Sequence, residues 1–302
     1  MENYVTMNPL EDIILKNSHP LTPLKTDAVA RLNKLKNIKA VIFDVYGTLI
    51  ISGSGDVGTA TAINTANAFT QALESSGFSG SLEEAGEVGK NLLKSEILRC
   101  HEQALVTGND FPEVEIITIW TTVFEKLQRQ NLLKTEPIDR DQIKQFALEY
   151  ECRANPVYPM PESLNLLRTL KERGLILGIV SNAQFYTPLL ISALFENTVE
   201  QLGFDLECCI WSYKETKAKP SEDLFPKAAK NLKEKYGIKL SESIYVGNDM
   251  LNDIYTANKA GCKTVLFAGD RRSLRLREND ERCTNLKPDA VITSLAQLTE
   301  IL

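Results

Sequence analysis

Histidine is the scarcest chemistry-bearing residue of this 302-residue chain: His19 and His101 are the only two, and they stand far apart. Their scarcity argues against Ser-His-Asp triads and His-rich zinc sites, so a hydrolase built from this sequence has to work with carboxylates. The six cysteines (Cys100, Cys152, Cys208, Cys209, Cys262, Cys283) include no C-x-x-C pair, and the expectation is free buried thiols in a reducing compartment. No apolar run approaches the ~18 residues that a membrane helix needs. The opening MENYVTMNPLEDIILKN lacks a basic start followed by an apolar stretch, so a cytoplasmic protein with no membrane association is expected. Positive charge is in deficit as well, with a net charge of −6, which removes the main driving force for sequence-independent nucleic-acid binding. Nothing in the bulk composition departs from a globular protein: 43% hydrophobic, 25% charged, 16 Gly and 12 Pro. Those proportions exclude collagen-like, disordered and disulfide-scaffold classes, and the length leaves room for one sizeable core plus a second unit.

Six short Val- and Ile-rich runs, at 39–44, 175–180, 206–211, 243–246, 263–267 and 289–292, are bounded by turn residues. They are continuously apolar rather than alternating, as parallel strands covered on both faces are. From residue 175 onward they alternate with helical patterns at 186–197, 222–236 and 250–260, which predicts a doubly wound, Rossmann-like parallel α/β sheet. Pro159 and Pro161 precede a helix ending at Gly174, and SLAQLTEIL reads as a last helix. Residues 55–155 carry no convincing strand. Helical patterns fall at 59–73 and 83–100, and Ile116, Ile119, Trp120, Val123 and Leu127 share one helical face. The predicted organisation is an α/β core from 39–54 and 156–302, an inserted all-helical cap at 55–155, and an N-terminal helical extension over 1–38. Gly53, Gly55 and Gly58 spell G-x-G-x-x-G, but no strand ends directly before them, so they read as a hinge into the cap rather than a dinucleotide loop. In the cap, Trp120 and His101 are candidates for substrate contact as well as for core or solvated roles.

Ligands of an open parallel sheet bind beyond the carboxyl ends of its strands. The loops there read DVYGTL after the first strand, Ser181-Asn182 after the second, Lys219-Pro220 downstream of LECCIW, and GNDMLND after SIYV. If they converge, Asp44 can serve as a nucleophile that splits one hard displacement into two. Lys219 can neutralise developing charge, and Ser181 and Asn182 can donate to an anionic group. A second acidic loop set against Asp44 would bind Mg²⁺ through hard oxygen ligands.

The ordered set VIFDVYGTL, GIVSNAQ, Lys219-Pro220 and YVGNDMLNDIYTANKAG resembles the haloacid dehalogenase (HAD) superfamily of hydrolases, with the helical insertion where that family carries a C1-type cap. The resemblance covers about 39–292. It implies Asp44 as nucleophile, Thr48 as its supporting hydroxyl, Ser181 as ligand of substrate phosphate or carboxylate, and Lys219 as charge neutraliser. It also implies Mg²⁺ held by Asp44, the Tyr46 carbonyl and the loop of Asn248, Asp249 and Asp253.

Departures from the pattern divide the functional reading. Phosphatases of that superfamily carry a general-acid aspartate two residues after the nucleophile, and the slot here is Tyr46. A phenol with an unperturbed pKa of about 10 protonates an alcohol leaving group poorly, so Tyr46 is either a modest catalytic contributor or packing. Tyrosine in that slot is similar to the 2-haloacid dehalogenases, whose halide needs no proton. That branch, however, carries an arginine early in its cap, whereas no arginine lies between Arg31 and Arg99, and its tyrosine six residues after the lysine is Phe225 here. The leading metal slot after the glycine is Asn248 rather than Asp. Three expectations follow: a Mg²⁺-dependent phosphatase on a small anionic substrate, a metal-independent 2-haloacid dehalogenase, or a non-catalytic binding protein.

Overall fold

The structure is a computed structural model that describes residues 8–54, 62–134 and 137–302; Gly55 and Gly58 of the glycine motif lie outside the described residues. In chain order, α1 (Pro9–Asn17) is followed by β1 (Ala40–Phe43) and β2 (Ile50–Ser52). Four helices come next, α2 (Ala62–Ser75), α3 (Leu82–Val106), α4 (Ile116–Arg129) and α5 (Arg140–Ala154), and then β3 (Val157–Pro159). The rest alternates: α6 (Ser163–Glu172), β4 (Ile176–Ser181), α7 (Thr187–Phe195), β5 (Phe204–Trp211), α8 (Ser212–Glu215), α9 (Phe225–Tyr236), β6 (Ser243–Gly247). A π-helical stretch, Met250–Tyr255, runs into α10 (Thr256–Ala260), and β7 (Lys263–Phe267), β8 (Ala290–Ile292) and α11 (Leu298–Ile301) complete the chain.

Six strands form one parallel sheet in the order β5-β4-β1-β6-β7-β8. Each of the six apolar runs predicted as a strand contributes one. All four residues of β1 are buried, because helices cover both faces and no side of the strand can be polar. β1 lies between β4 and β6, in register Ala40↔Ile176 and Ala40↔Ser243. The chain order reverses across β1, which opens a crevice above its carboxyl end.

Helices α2 to α5 make the predicted all-helical insertion, an α/β core with a helical unit attached. Their interior is aromatic: Phe69, Trp120, Phe124, Phe146 and Tyr150 meet mostly edge to face, with Phe146 4.9 Å from each of Phe69, Trp120 and Phe124. Trp120 is 1% exposed, so the substrate-contact role considered for it gives way to packing. Where the insertion leaves and rejoins the core, β2 and β3 pair antiparallel, Ile50 opposite Pro159, so against expectation a short strand does end directly before Gly53, whose N donates to Pro156 O at 2.7 Å.

The N-terminal segment departs from expectation. It is helical at α1, where Asn8 caps the first turn and Pro9 fills it, but 18–38 contains no helix. Pro20 and Pro23 interrupt any helical ladder there, and the backbone finds partners on the core instead. Leu24 N donates to Asp270 Oδ1 (3.1 Å), Arg31 pairs antiparallel with Val291 of β8, and Leu35 N reaches Ile301 O (2.7 Å). The segment is therefore a strap that begins as α1, packed on α5 and α7, and ends on the far edge of the sheet. All six cysteines are unpaired, and no helix among the described residues is long and apolar enough to cross a membrane.

Candidate active site

The carboxyl ends of β1, β4 and β6 deliver the predicted side chains to one place. Asp44, one residue past β1 and 7% exposed, accepts through Oδ1 from Ser181 Oγ (2.9 Å) and from Lys219 Nζ (2.7 Å). No hydrogen bond falls on its Oδ2 among the described residues. Lys219 is also buried, and its ammonium donates to Asp253 Oδ1 (2.6 Å) and to the Tyr245 hydroxyl (2.8 Å). Tyr245 in turn donates to Val180 O at 2.6 Å. A buried ammonium thus bridges two buried carboxylates, the arrangement in which charges can stay charged away from water. Burial alone would lower the lysine, but Asp253 and Asp44 outweigh it and hold the ammonium above the ordinary lysine value. Burial raises the Asp253 carboxyl, Lys219 opposes the rise and the nearby Asp44 and Asp249 add to it, so that it stands pushed up to about 6.

Asp253 is fixed by more than the lysine. Its Oδ2 accepts from the backbone N–H groups of Asn248 and Asp249, both at 2.9 Å. A Cβ at Gly247 would lie 2.4 Å from the Asp253 carboxyl carbon, so only glycine at the end of β6 lets that carboxylate fold back over the loop. Asn248 faces the nucleophile loop: its Oδ1 accepts from Thr48 Oγ1 (2.9 Å), and its Nδ2 donates to Ser273 O (2.7 Å).

Several expected site residues are placed otherwise. Asp253, expected on the metal, has Oδ1 on Lys219 and Tyr245 and Oδ2 on two backbone N–H groups. Thr48, expected to support the nucleophile, donates to Asn248, and Ser181, expected on substrate, donates to Asp44. Asp249 caps the π-helical turn by accepting from Leu251 N and Asn252 N, and Arg277 grips both its oxygens, the shortest contact being 2.5 Å. Its ligand capacity is therefore spent on loop and guanidinium, which corrects its expected part in the metal set. Asn182 was expected on substrate. Instead its amide clamps the Lys219 backbone, accepting from Lys219 N (2.7 Å) and donating to Lys219 O (3.3 Å), so it orients the lysine. The Tyr46 phenol is buried and hydrogen-bonded to Thr187 Oγ1 at 3.0 Å. Burial, reinforced by Glu151, holds it protonated well above the ordinary phenol range, which favours packing over a catalytic contribution, the two roles considered for it. Only its backbone carbonyl remains for the site.

Sequence reading did not identify Tyr245, although a lone tyrosine among aliphatic strand residues is a signal, since its buried hydroxyl must find a partner. Nor did it identify the contact that seats the helical insertion on the lysine loop. Ala218 N donates to Phe111 O (2.8 Å) and Glu113 N to Thr216 O (3.1 Å), a short pairing next to Lys219. Ser212 Oγ donates to Glu113 Oε2 (2.7 Å), while Gln184 donates to Val114 O (2.8 Å) and accepts from Ile116 N (3.0 Å). Burial raises the Glu113 carboxyl above its usual range, against the hydrogen bonds from Ser212, Val114 and Gln184. The insertion is thus anchored at the segments that follow β4 and β5.

Chemically, the cluster offers one carboxylate with an unengaged oxygen, held in orientation by a hydroxyl and an ammonium. That arrangement suits attack on an electrophile carrying negative charge. The profile of the haloacid dehalogenase-like hydrolases matches residues 38–261. The phospholysine phosphohistidine inorganic pyrophosphate phosphatase of Xenopus laevis is 26% identical over 292 residues, covering 88% of this chain and 94% of that protein. The ribulose-1,5-bisphosphate 5-phosphatase of Halopiger xanaduensis is 26% identical over 145 residues, 47% of this chain and 56% of that protein. Among solved structures, the 2-haloacid dehalogenase of Pseudomonas syringae pv. Tomato DC3000 is similar with a TM-score of 0.52 at 20% identity, covering 87% of this chain and 97% of that one. At that identity the likeness is one of fold.

Proposed function

This chain belongs to the haloacid dehalogenase-like hydrolases, and within that family we propose that it is a phosphatase acting through a covalent intermediate on Asp44. The observation that carries the reading is Asp44 itself, with Oδ1 bound by Ser181 and Lys219 and Oδ2 left for attack. In the first step a carboxylate oxygen of Asp44 attacks phosphorus as the bond to the leaving oxygen breaks and that oxygen departs with the electron pair. In the second, water attacks the same phosphorus, the phosphorus–Asp44 bond breaks and the carboxylate is restored. Lys219 offsets the negative charge that builds on the transferred group, and Tyr245, Asp253 and Asn182 hold the lysine in place. The names of the two curated relatives, both phosphatases, support this reading.

The donors beside Asp44 fit a magnesium ion. They are all hard oxygens (the carboxylate, the Tyr46 carbonyl and Asn248 Oδ1), which leave further positions to water and substrate phosphate. Among the described residues no group of three or more His, Cys, Asp or Glu could hold a metal, so the expected trio of Asp44, Asp249 and Asp253 does not form a ligand set, and neutral oxygens would have to supply most of the ligands. When bound, magnesium supplies charge neutralisation on the phosphoryl oxygens. We place the activity in the cytoplasm, where six unpaired thiols stay reduced.

With the Tyr46 phenol unavailable as an acid, the leaving group has to depart without a proton from that position. Acyl and aryl phosphates are therefore expected to turn over at least about 10²-fold faster than an alkyl phosphate, the range general-acid assistance usually contributes. EDTA is expected to abolish hydrolysis. Equal rates on both substrate types would contradict the leaving-group argument, and chloride release from a 2-haloacid in EDTA would favour dehalogenation instead.

A further inference from the structure

We propose that Asp270 is a positioning residue of the site: it ties the N-terminal strap to the loop whose backbone carbonyl orients the Asn248 side chain. The inference rests on the part given to Asn248 above and adds two segments to it. The family match covers residues 38–261, so the strap before residue 38 and the loop at 268–277 both lie outside it.

Asn248 is buried, and its amide can meet its two neighbours in one way only. The Ser273 carbonyl accepts and never donates, so the group that faces it at 2.7 Å has to be Nδ2. Oδ1 is thereby turned to the other side, where it accepts from Thr48 Oγ1 (2.9 Å) on the nucleophile loop. Without that carbonyl nothing stops the amide from turning over, and an NH₂ group cannot ligate a cation. The backbone keeps the two loops side by side: Arg275 N donates to Asn248 O (3.0 Å) and Met250 N donates to Arg275 O (2.8 Å).

Residues 268–277 form no helix or strand, so the place of the Ser273 carbonyl depends on turn and side-chain contacts. Asp270 supplies most of them. It is 2% exposed; its Oδ1 accepts from Arg272 N and from Leu24 N of the strap, both at 3.1 Å, and its Oδ2 pairs with Arg272 Nη1 at 2.8 Å. Its backbone carbonyl accepts from Ser273 N (3.1 Å) and Leu274 N (3.0 Å), which closes the turn. The strap adds three bonds of its own. Thr26 Oγ1 donates to Ala268 O (2.7 Å), Arg271 N donates to Leu24 O (2.9 Å), and Arg272 Nη2 donates to Thr22 O (2.6 Å). A buried carboxylate is retained where its charge and its lone pairs are used, and here one oxygen reaches across to the strap.

The test compares the full-length wild type with Asp270→Ala and Asp270→Asn. Two quantities are read: the NMR signals of the Asn248 side-chain amide, assigned by their loss in Asn248→Asp, and kcat/KM on an aryl phosphate with Mg²⁺. Asparagine keeps a carbonyl oxygen for Leu24 N and Arg272 N, and alanine does not. The inference predicts that Asp270→Ala shifts the Asn248 amide signals and lowers kcat/KM about 10-fold, while Asp270→Asn stays near the wild type in both. Lost activity with the Asn248 signals unmoved would overturn it, because a merely structural defect thins the folded population without turning the amide. Wild-type values of both quantities in Asp270→Ala would overturn it as well. Should Asp270→Ala fail to fold, Thr26→Val removes one strap bond while keeping the side chain's shape; it is expected to shift the same signals, and signals left in place would overturn the inference. An amide that moves in Asp270→Ala while even the wild type hydrolyses no aryl phosphate would support the positioning and remove only the function proposed above.

Discussion

At the scale of single residues, the site depends on how one ammonium is shared. Lys219 binds Asp44, Asp253 and Tyr245 at once, and only the ionised form of Asp253 can hold it as an ion pair. Burial has pushed that carboxyl up to about 6, with Lys219 opposing and Asp44 and Asp249 adding to the rise. Below that pH the neutral acid releases the lysine; above it the pair re-forms. The value of kcat/KM is therefore expected to climb as pH rises through about 6, once the ionisation of the substrate's own phosphate has been divided out. A flat profile between pH 5 and 7 would show that Asp253 does not govern the lysine. Position at or near strand ends, together with the family resemblance, pointed to Asp44, Thr48, Ser181, Lys219, Asn248 and Asp253, because the fold makes neighbours of those distant loops. Tyr245 was legible only as a strand tyrosine whose buried hydroxyl needs a partner; that the partner is Lys219 shows only in the fold. The parts assigned to Asp249 and Asn182 were also misjudged, since neither Arg277 nor the Lys219 backbone declares itself as a partner in a linear sequence.

Among elements, the parallel strands were readable because burial on both faces leaves them continuously apolar. The two-stranded ribbon of β2 and β3 is too short for any period to show, and α5 dilutes Ile143, Phe146, Leu148 and Tyr150 with charged residues. The strap over 18–38 escaped notice because its backbone bonds to other elements rather than to itself. Helix α1 is the part of that strap that touches the helical insertion. Ile14 is fully buried, α1 packs on both α5 and α7, and Asn17 Nδ2 donates to Glu149 Oε2 at 3.1 Å. Ile14→Ala should cost about 2–5 kcal/mol in urea unfolding, the range for a deeply buried aliphatic. A loss below about 1 kcal/mol would mean that α1 does not clamp the insertion to the core.

For the molecule as a whole, the sheet order brings loops from residues 44, 181, 219 and 248–253 above one carboxyl edge, while the insertion's Phe111, Glu113 and Val114 bond to the core at Ala218, Thr216 and Gln184. The scaffold was legible because strand and helix alternation dictates it; substrate choice was not, because the insertion's contacts arise only on folding. What the assembled molecule must do, if this account holds, is carry the phosphoryl group on Asp44. The direct measurement is borohydride trapping during turnover of an aryl phosphate, followed by mass spectrometry of the peptide that contains residue 44. The account predicts reduction of the Asp44 acyl phosphate to homoserine, dependent on substrate and absent in Asp44→Asn. Steady turnover with no reduced peptide, or homoserine at a different aspartate, would contradict it.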